Sequence, residues 1–130
     1  MTEEQIAILS DPAFVGTIKR SSVPRAVGEV IRRVNRRSYE EGVFLYRYYD
    51  DWGTRAQRAP AGVRMTTRAY GSGVYAVVRH CDTMVGSRWV AEAADWRGGL
   101  RSLHVGHFDN LCDALLASWG VMALTFPSEQ

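Results

Sequence analysis

Between Val63 and Phe108 the chain breaks into four short runs of strand character, the first three each ended by a segment that carries glycine. In the first run Val63, Met65, Thr67 and Ala69 alternate with Arg64, Thr66, Arg68 and Tyr70, the period of two that places successive side chains on opposite faces of a strand. Gly71-Ser72-Gly73 then signals a hairpin, with Val74 to His80 as its return strand. The segment CDTMVGS leads to a third run, Arg88 to Ala94, and Trp96-Arg97-Gly98-Gly99 turns the chain into a fourth, Leu100 to Phe108. Consecutive strands joined this tightly pair antiparallel, so the pattern predicts a meander.

The flanks are helical in character. Residues 3 to 9 form a short helix stopped at Asp11-Pro12, because the residue before proline is driven out of the helical region. After Ser21, with Ser22 as N-cap, Val23, Val27, Val30, Ile31 and Val34 share one stripe of an amphipathic helix that Gly42 ends. From Val43 the period returns to two, with Phe44, Tyr46 and Tyr48 on one face of a strand. Residues 50 to 62 have no periodicity and read as a long loop. Asp109 caps a final helix in which Leu111, Leu115 and Trp119 align, Gly120 ends it, and VMALTF is a last short strand or an apolar tail. The expected fold is one α+β domain over residues 1–130: an antiparallel sheet of four to five strands with amino-terminal helices and a carboxy-terminal helix packed against it. Val74, Ala76 and Val78 on one side of their strand and Tyr75 and Val77 on the other predict a sheet covered on both faces.

Composition narrows the function classes. The acidic start MTEEQIAILSDP lacks a basic segment followed by an apolar run, and no stretch approaches the ~20 apolar residues of a membrane span, so the expectation is a cytoplasmic protein with no membrane partner. The two cysteines, Cys81 and Cys112, have no metal-binding spacing and are expected as free thiols. No phosphate loop, nucleophile elbow or metal signature occurs in the chain, so no metal, cofactor or catalytic residue is assigned. His104 and His107, three apart on a strand, are expected on opposite faces, unable to share a metal unless the strand is bulged. His80 and Cys81 likewise point apart, while a dyad of Cys112 with His80 from distant segments stays open.

Two candidate contact surfaces remain. Tyr48, Asp50, Asp51, Trp52 and Arg55 combine aromatic, acidic and basic side chains in a long loop and its edge, the residue types of interface hot spots, and predict a non-catalytic protein that binds another protein or itself. The alternative is nucleic acid. The net charge of +2 is too small to argue for a polyanion, but fifteen of the sixteen basic residues are Arg, and Arg32, Arg33, Arg36 and Arg37 form a dense patch. An excess of Arg is also what a GC-rich coding genome produces. A third reading is a small ligand-binding protein or enzyme with an aromatic pocket near a histidine.

One resemblance bears on the nucleic-acid reading. RWVAE (88–92), the Gly106-His107-Phe108 strand ending and the Ala-rich DNLCDALLA make residues 73–119 resemble the three-stranded sheet plus helix of the APETALA-type DNA-binding domain and of amino-terminal modules of phage integrases. That resemblance implies a sheet laid in the major groove and, by position, DNA contacts from Arg79, Arg88, Trp89 and Arg101.

Overall fold

In a computed structural model the described residues are 1–36, 41–49, 59–83 and 86–127. They form an α+β domain in which four helices pack on one face of a five-stranded antiparallel meander.

Three helices open the chain: α1 (Glu3–Ser10), α2 (Pro12–Arg20) and α3 (Val23–Val34). Thr2 and Gln5 make a capping box at the start of α1. Asp11 then ends α1 and begins α2, its carboxylate accepting the Ala13 N–H at 3.0 Å. The sequence reading stopped at Asp11-Pro12 and missed α2. Proline that halts one helix is also the favoured first residue of the next, where its missing N–H and fixed φ cost nothing. Phe14 and Ile18, one turn apart, are the buried side of α2. Ser22 is the N-cap of α3 as expected, but that helix closes at Asn35, seven residues before Gly42.

The strands are β1 (Val43–Tyr48), β2 (Gly62–Thr67), β3 (Gly71–Thr83), β4 (Gly86–Asp95) and β5 (Arg101–Phe108), paired in chain order. The long hairpin β3–β4 takes up most of the segment read as a loop at 81–87 and turns with Gly86 at φ +118°. After β5 comes α4 (Leu111–Thr125). Its N-cap is Asn110, which accepts the Asp113 N–H at 2.9 Å; Asp109 is held instead by Arg88. Gly120 does not end α4. The segment read as a strand or tail continues the helix to Thr125, burying Met122, with Phe126 against the core.

Helix α3 lies over β1 and β2, α4 lies over β3, β4 and β5, and α1 and α2 fill the space between them. Val43, Leu45, Val63, Met65, Val74, Ala76, Val78, Ala91 and Ala93 point into this layer and pack with Val27, Val30, Leu111 and Leu115. Each such large side chain, withdrawn from water, contributes about 1.5–3 kcal/mol before the cost of ordering. Tyr70 fastens the turn after β2 to α4, donating its hydroxyl to the Met122 carbonyl at 3.1 Å.

The outer edge of β1 is closed by two side-chain amides. Gln5, on α1, accepts the Val43 N–H at 3.1 Å and donates to the Val43 carbonyl at 2.9 Å. Asn35 does the same one pleat further on, accepting from Leu45 N–H at 2.9 Å and donating to Leu45 carbonyl at 2.7 Å. Together they occupy the ladder positions that a neighbouring strand would use, a protection against edge-to-edge aggregation.

Candidate binding face on the uncovered side of the sheet

The sequence predicts a sheet covered on both faces; among the described residues the helices cover one, and on the other the only buried side chains are those of Val90 and Ala94. Every described helix lies on one side, and among the described residues nothing packs across the other. Tyr75 and Val77, on the other face of β3, are half-buried.

Strand register orders the uncovered face into three rows. Phe44, Thr66, Tyr75, Ala94 and Ser102 form one row; Tyr46, Arg64, Val77, Glu92 and His104 form the next; Tyr48, Gly62, Arg79, Val90 and His107 form the third. Within these rows the polar groups are already positioned. The Arg64 guanidinium sits 4.1 Å from the centre of the Tyr75 ring, and the Tyr75 hydroxyl accepts the indole N–H of Trp96 at 2.9 Å. Cation–π stacking of this kind is worth about 0.5–1 kcal/mol where exposed, and it fixes a long side chain in one orientation. Arg79 pairs with Glu92 at 3.7 Å, and Arg88 with Asp109.

The result is a shallow groove of about 440 Å³ lined by Tyr48, Arg64, Tyr75, Arg79, Trp96 and Leu100. Between Tyr48 and Arg79 in the register stands Gly62, where no side chain would fit: a Cβ there would stand 2.1 Å from the Val78 carbonyl oxygen. Trp96, Leu100 and Tyr46 are 54%, 57% and 47% exposed, an unusual concentration of large apolar side chains in water. A second, larger concavity of about 600 Å³ adjoins it at Tyr46, Arg47, Arg64, Thr66 and Arg68.

The sequence candidates divide between the two sides. Tyr48 borders the groove, whereas Asp50, Asp51, Trp52 and Arg55 lie outside the described residues, as does Arg37. Arg79 and Arg88 are on the uncovered face, each beside a carboxylate. Trp89 is on the helix side, 8% exposed and edge-on to His80 at 5.1 Å, and Arg101 is there too, 5.7 Å from the Phe126 ring centre. Arg32 is ion-paired with Glu29, a carboxyl that this bond holds below its ordinary range, and Arg33 stacks on Phe14 at 4.8 Å. Arg36 is exposed. Because α3 lies on the covered side, Arg32, Arg33 and Arg36 and the arginines of the uncovered face are on opposite sides of the sheet.

Sequence reasoning missed Arg64, Tyr75, Trp96 and Leu100. The signal was present as the alternation of Arg64 with Met65 and of Tyr75 with Ala76, but alternation does not say which face is bare.

The histidines also need correction. His104 and His107 are not on opposite faces: β5 is bulged where β4 passes from Ala91 to Glu92, so Ala91 pairs with Gly106 and Glu92 with His104, leaving Val105 as the extra residue. Gly106 takes φ +154°, a backbone region in which L side chains are rarely found. Both imidazoles therefore project from the uncovered face, with ring centres 5.2 Å apart. Among the described residues no group of three or more His, Cys, Asp or Glu side chains converges as a metal centre. Cys112 is fully buried in the first turn of α4, where burial and then the neighbouring Asp113 push its thiol up to about 12, so it supplies no thiolate near neutral pH. Both cysteines are free thiols.

Among the described residues no helix is long and apolar enough to cross a membrane. Comparison with known proteins leaves the geometry to speak for itself: no family model matches the chain, and no curated protein or solved structure shows significant similarity to it.

Proposed function

We propose that this chain is a non-catalytic interaction domain that docks protein on the uncovered face of its sheet, and that a second copy of the chain fits that face. The observation that carries the reading is the bare sheet face presenting Tyr46, Tyr48, Tyr75, Trp96, Leu100 and Arg64 in a positioned array. Tyr, Trp and Arg dominate interface energetics because each buries a large area at a small cost in side-chain entropy.

Size supports a stable contact. Five strands of six, six, thirteen, ten and eight residues, about 4.8 Å apart and rising about 3.3 Å per residue, present a face of roughly 700 Å². That is close to the ~800 Å² each partner contributes to a standard interface. Charge supports a like partner. Arg79 and Glu92 are neighbours on the face, so a two-fold axis passing between them would set each Arg79 against the Glu92 of the other copy.

Sedimentation velocity over a concentration series, in the presence of a metal chelator, tests the reading. Wild-type chain is expected to pass from monomer to dimer, whereas Trp96→Asp and Tyr46→Asp stay monomeric with an unchanged circular dichroism spectrum. Wild-type chain that remains monomeric throughout overturns it.

The Arg64–Tyr75–Trp96 cluster also favours a second reading, a single-stranded nucleic acid whose bases stack on the sheet aromatics. Neutralisation of Arg79 and Arg88 by carboxylates makes it the lesser one. Its signature is oligonucleotide binding that weakens steeply with salt.

A further inference from the structure

We infer that His104 and His107 form a paired-imidazole site for a borderline transition-metal ion, of which Zn²⁺ is the simplest case. In an unbroken strand, residues three apart face opposite ways. The bulge at Val105–Gly106 removes that separation and sets both rings on one face, both exposed.

The spacing suits coordination. An imidazole nitrogen binds Zn²⁺ at about 2.0–2.1 Å, which puts each ring centre about 3.2 Å from the ion, so two rings at the tetrahedral angle have centres about 5.2 Å apart. His104 and His107 have theirs 5.2 Å apart with ring planes inclined at 61°. The rings now meet edge to face, so rotation of the side chains, with the backbone held by the bulge, is what would aim one nitrogen of each at the ion. Imidazole selects Zn²⁺, Ni²⁺ and Cu²⁺ over the hard cations that prefer oxygen. With two protein ligands, water completes the coordination sphere in the free chain and leaves positions open for exchange. His104 pairs across the strands with Glu92, which lines the groove, so the site adjoins the docking face; metal binding by the free chain does not depend on docking there.

The test is calorimetric titration of the chain with Zn²⁺ alone, followed in parallel through the imidazole proton resonances. One ion per chain is expected, shifting the resonances of His104 and His107 together. His104→Ala and His107→Ala, both at exposed positions, should each weaken binding by about tenfold or more, since each removes the chelate partner of the other. Gly106→Val supplies the geometric arm: with both histidines kept but the bulge disfavoured, affinity should fall as well. If that variant does not fold, the two alanine variants decide alone. No binding above that of the double alanine variant overturns the inference, as does binding that either single variant leaves unchanged.

Discussion

Replacing Gln5 by Leu tests how the helices are held to one side of the sheet. The side chain is 5% exposed, and its amide is the only link that joins the start of α1, the end of α3 and the edge of β1 among the described hydrogen bonds. Leu keeps nearly the same volume, so the substitution isolates the polar contacts. The Val43 N–H, on a residue with no exposure, loses its acceptor, which costs about 1–3 kcal/mol. The carbonyls of Val43 and Val34 lose a donor at 2.9 and 3.3 Å, and the capping box at Thr2 is broken, adding about 1–2 kcal/mol in total. A loss of about 2–5 kcal/mol follows. For 130 residues the unfolding entropy is about 270 cal/mol/K, so each kcal/mol shifts Tm by about 3.7 °C and the variant should melt about 7–18 °C lower. Thermal unfolding followed by circular dichroism, checked by urea titration, measures it. A loss below about 1 kcal/mol would mean that water already satisfies these groups and that α1 does not seal the β1 edge.

Other perturbations probe the remaining contacts. Cys112→Ala should flatten the alkaline limb of stability: a thiol raised from 9.0 to about 12 in the fold stabilises fully below 9 and is lost as pH rises through that window, a slope of about 1.4 kcal/mol per pH unit that urea titrations on wild type and variant would compare. Asn35→Ala exposes the Leu45 ladder groups, so light scattering at a fixed temperature below Tm should report faster aggregation than in wild type. Tyr70→Phe should cost only about 1 kcal/mol, because the Met122 carbonyl keeps the Phe126 N–H as donor at 3.0 Å.

Local pattern carried much of the architecture into the sequence. Alternation with glycine-bearing turns is enough to read an antiparallel sheet of four to five strands, though not their order, and the valine stripe of α3 is plain at helical spacing. What escaped was decided by competition between local signals or by tertiary contacts. Pro12 is both a stop and a start. Gly120 lies in a helix continued by apolar residues that the core retains, and Asp109 yields the cap to Asn110 because Arg88 claims it. The bulge at Gly106 reverses the facing of His107, an effect no period-two count contains. Choice of the covered face is a property of helix placement, and so Arg64, Tyr75 and Trp96 were readable as strand and turn residues but not as a surface. The nucleic-acid candidates were dispersed for the same reason: Arg88 and its neighbour Trp89 point to opposite sides of one strand.

Hydroxyl-radical footprinting over a concentration series tests the docking face most directly, because it reads individual aromatic rings. Tyr46 and Trp96 should be oxidised readily in dilute chain and become protected as concentration rises, while Tyr70 and Trp89, 4% and 8% exposed, react slowly throughout. Tyr46 and Trp96 that stay equally reactive at every concentration would contradict pairing through this face, and rings unreactive even when dilute would show that the sheet is not bare.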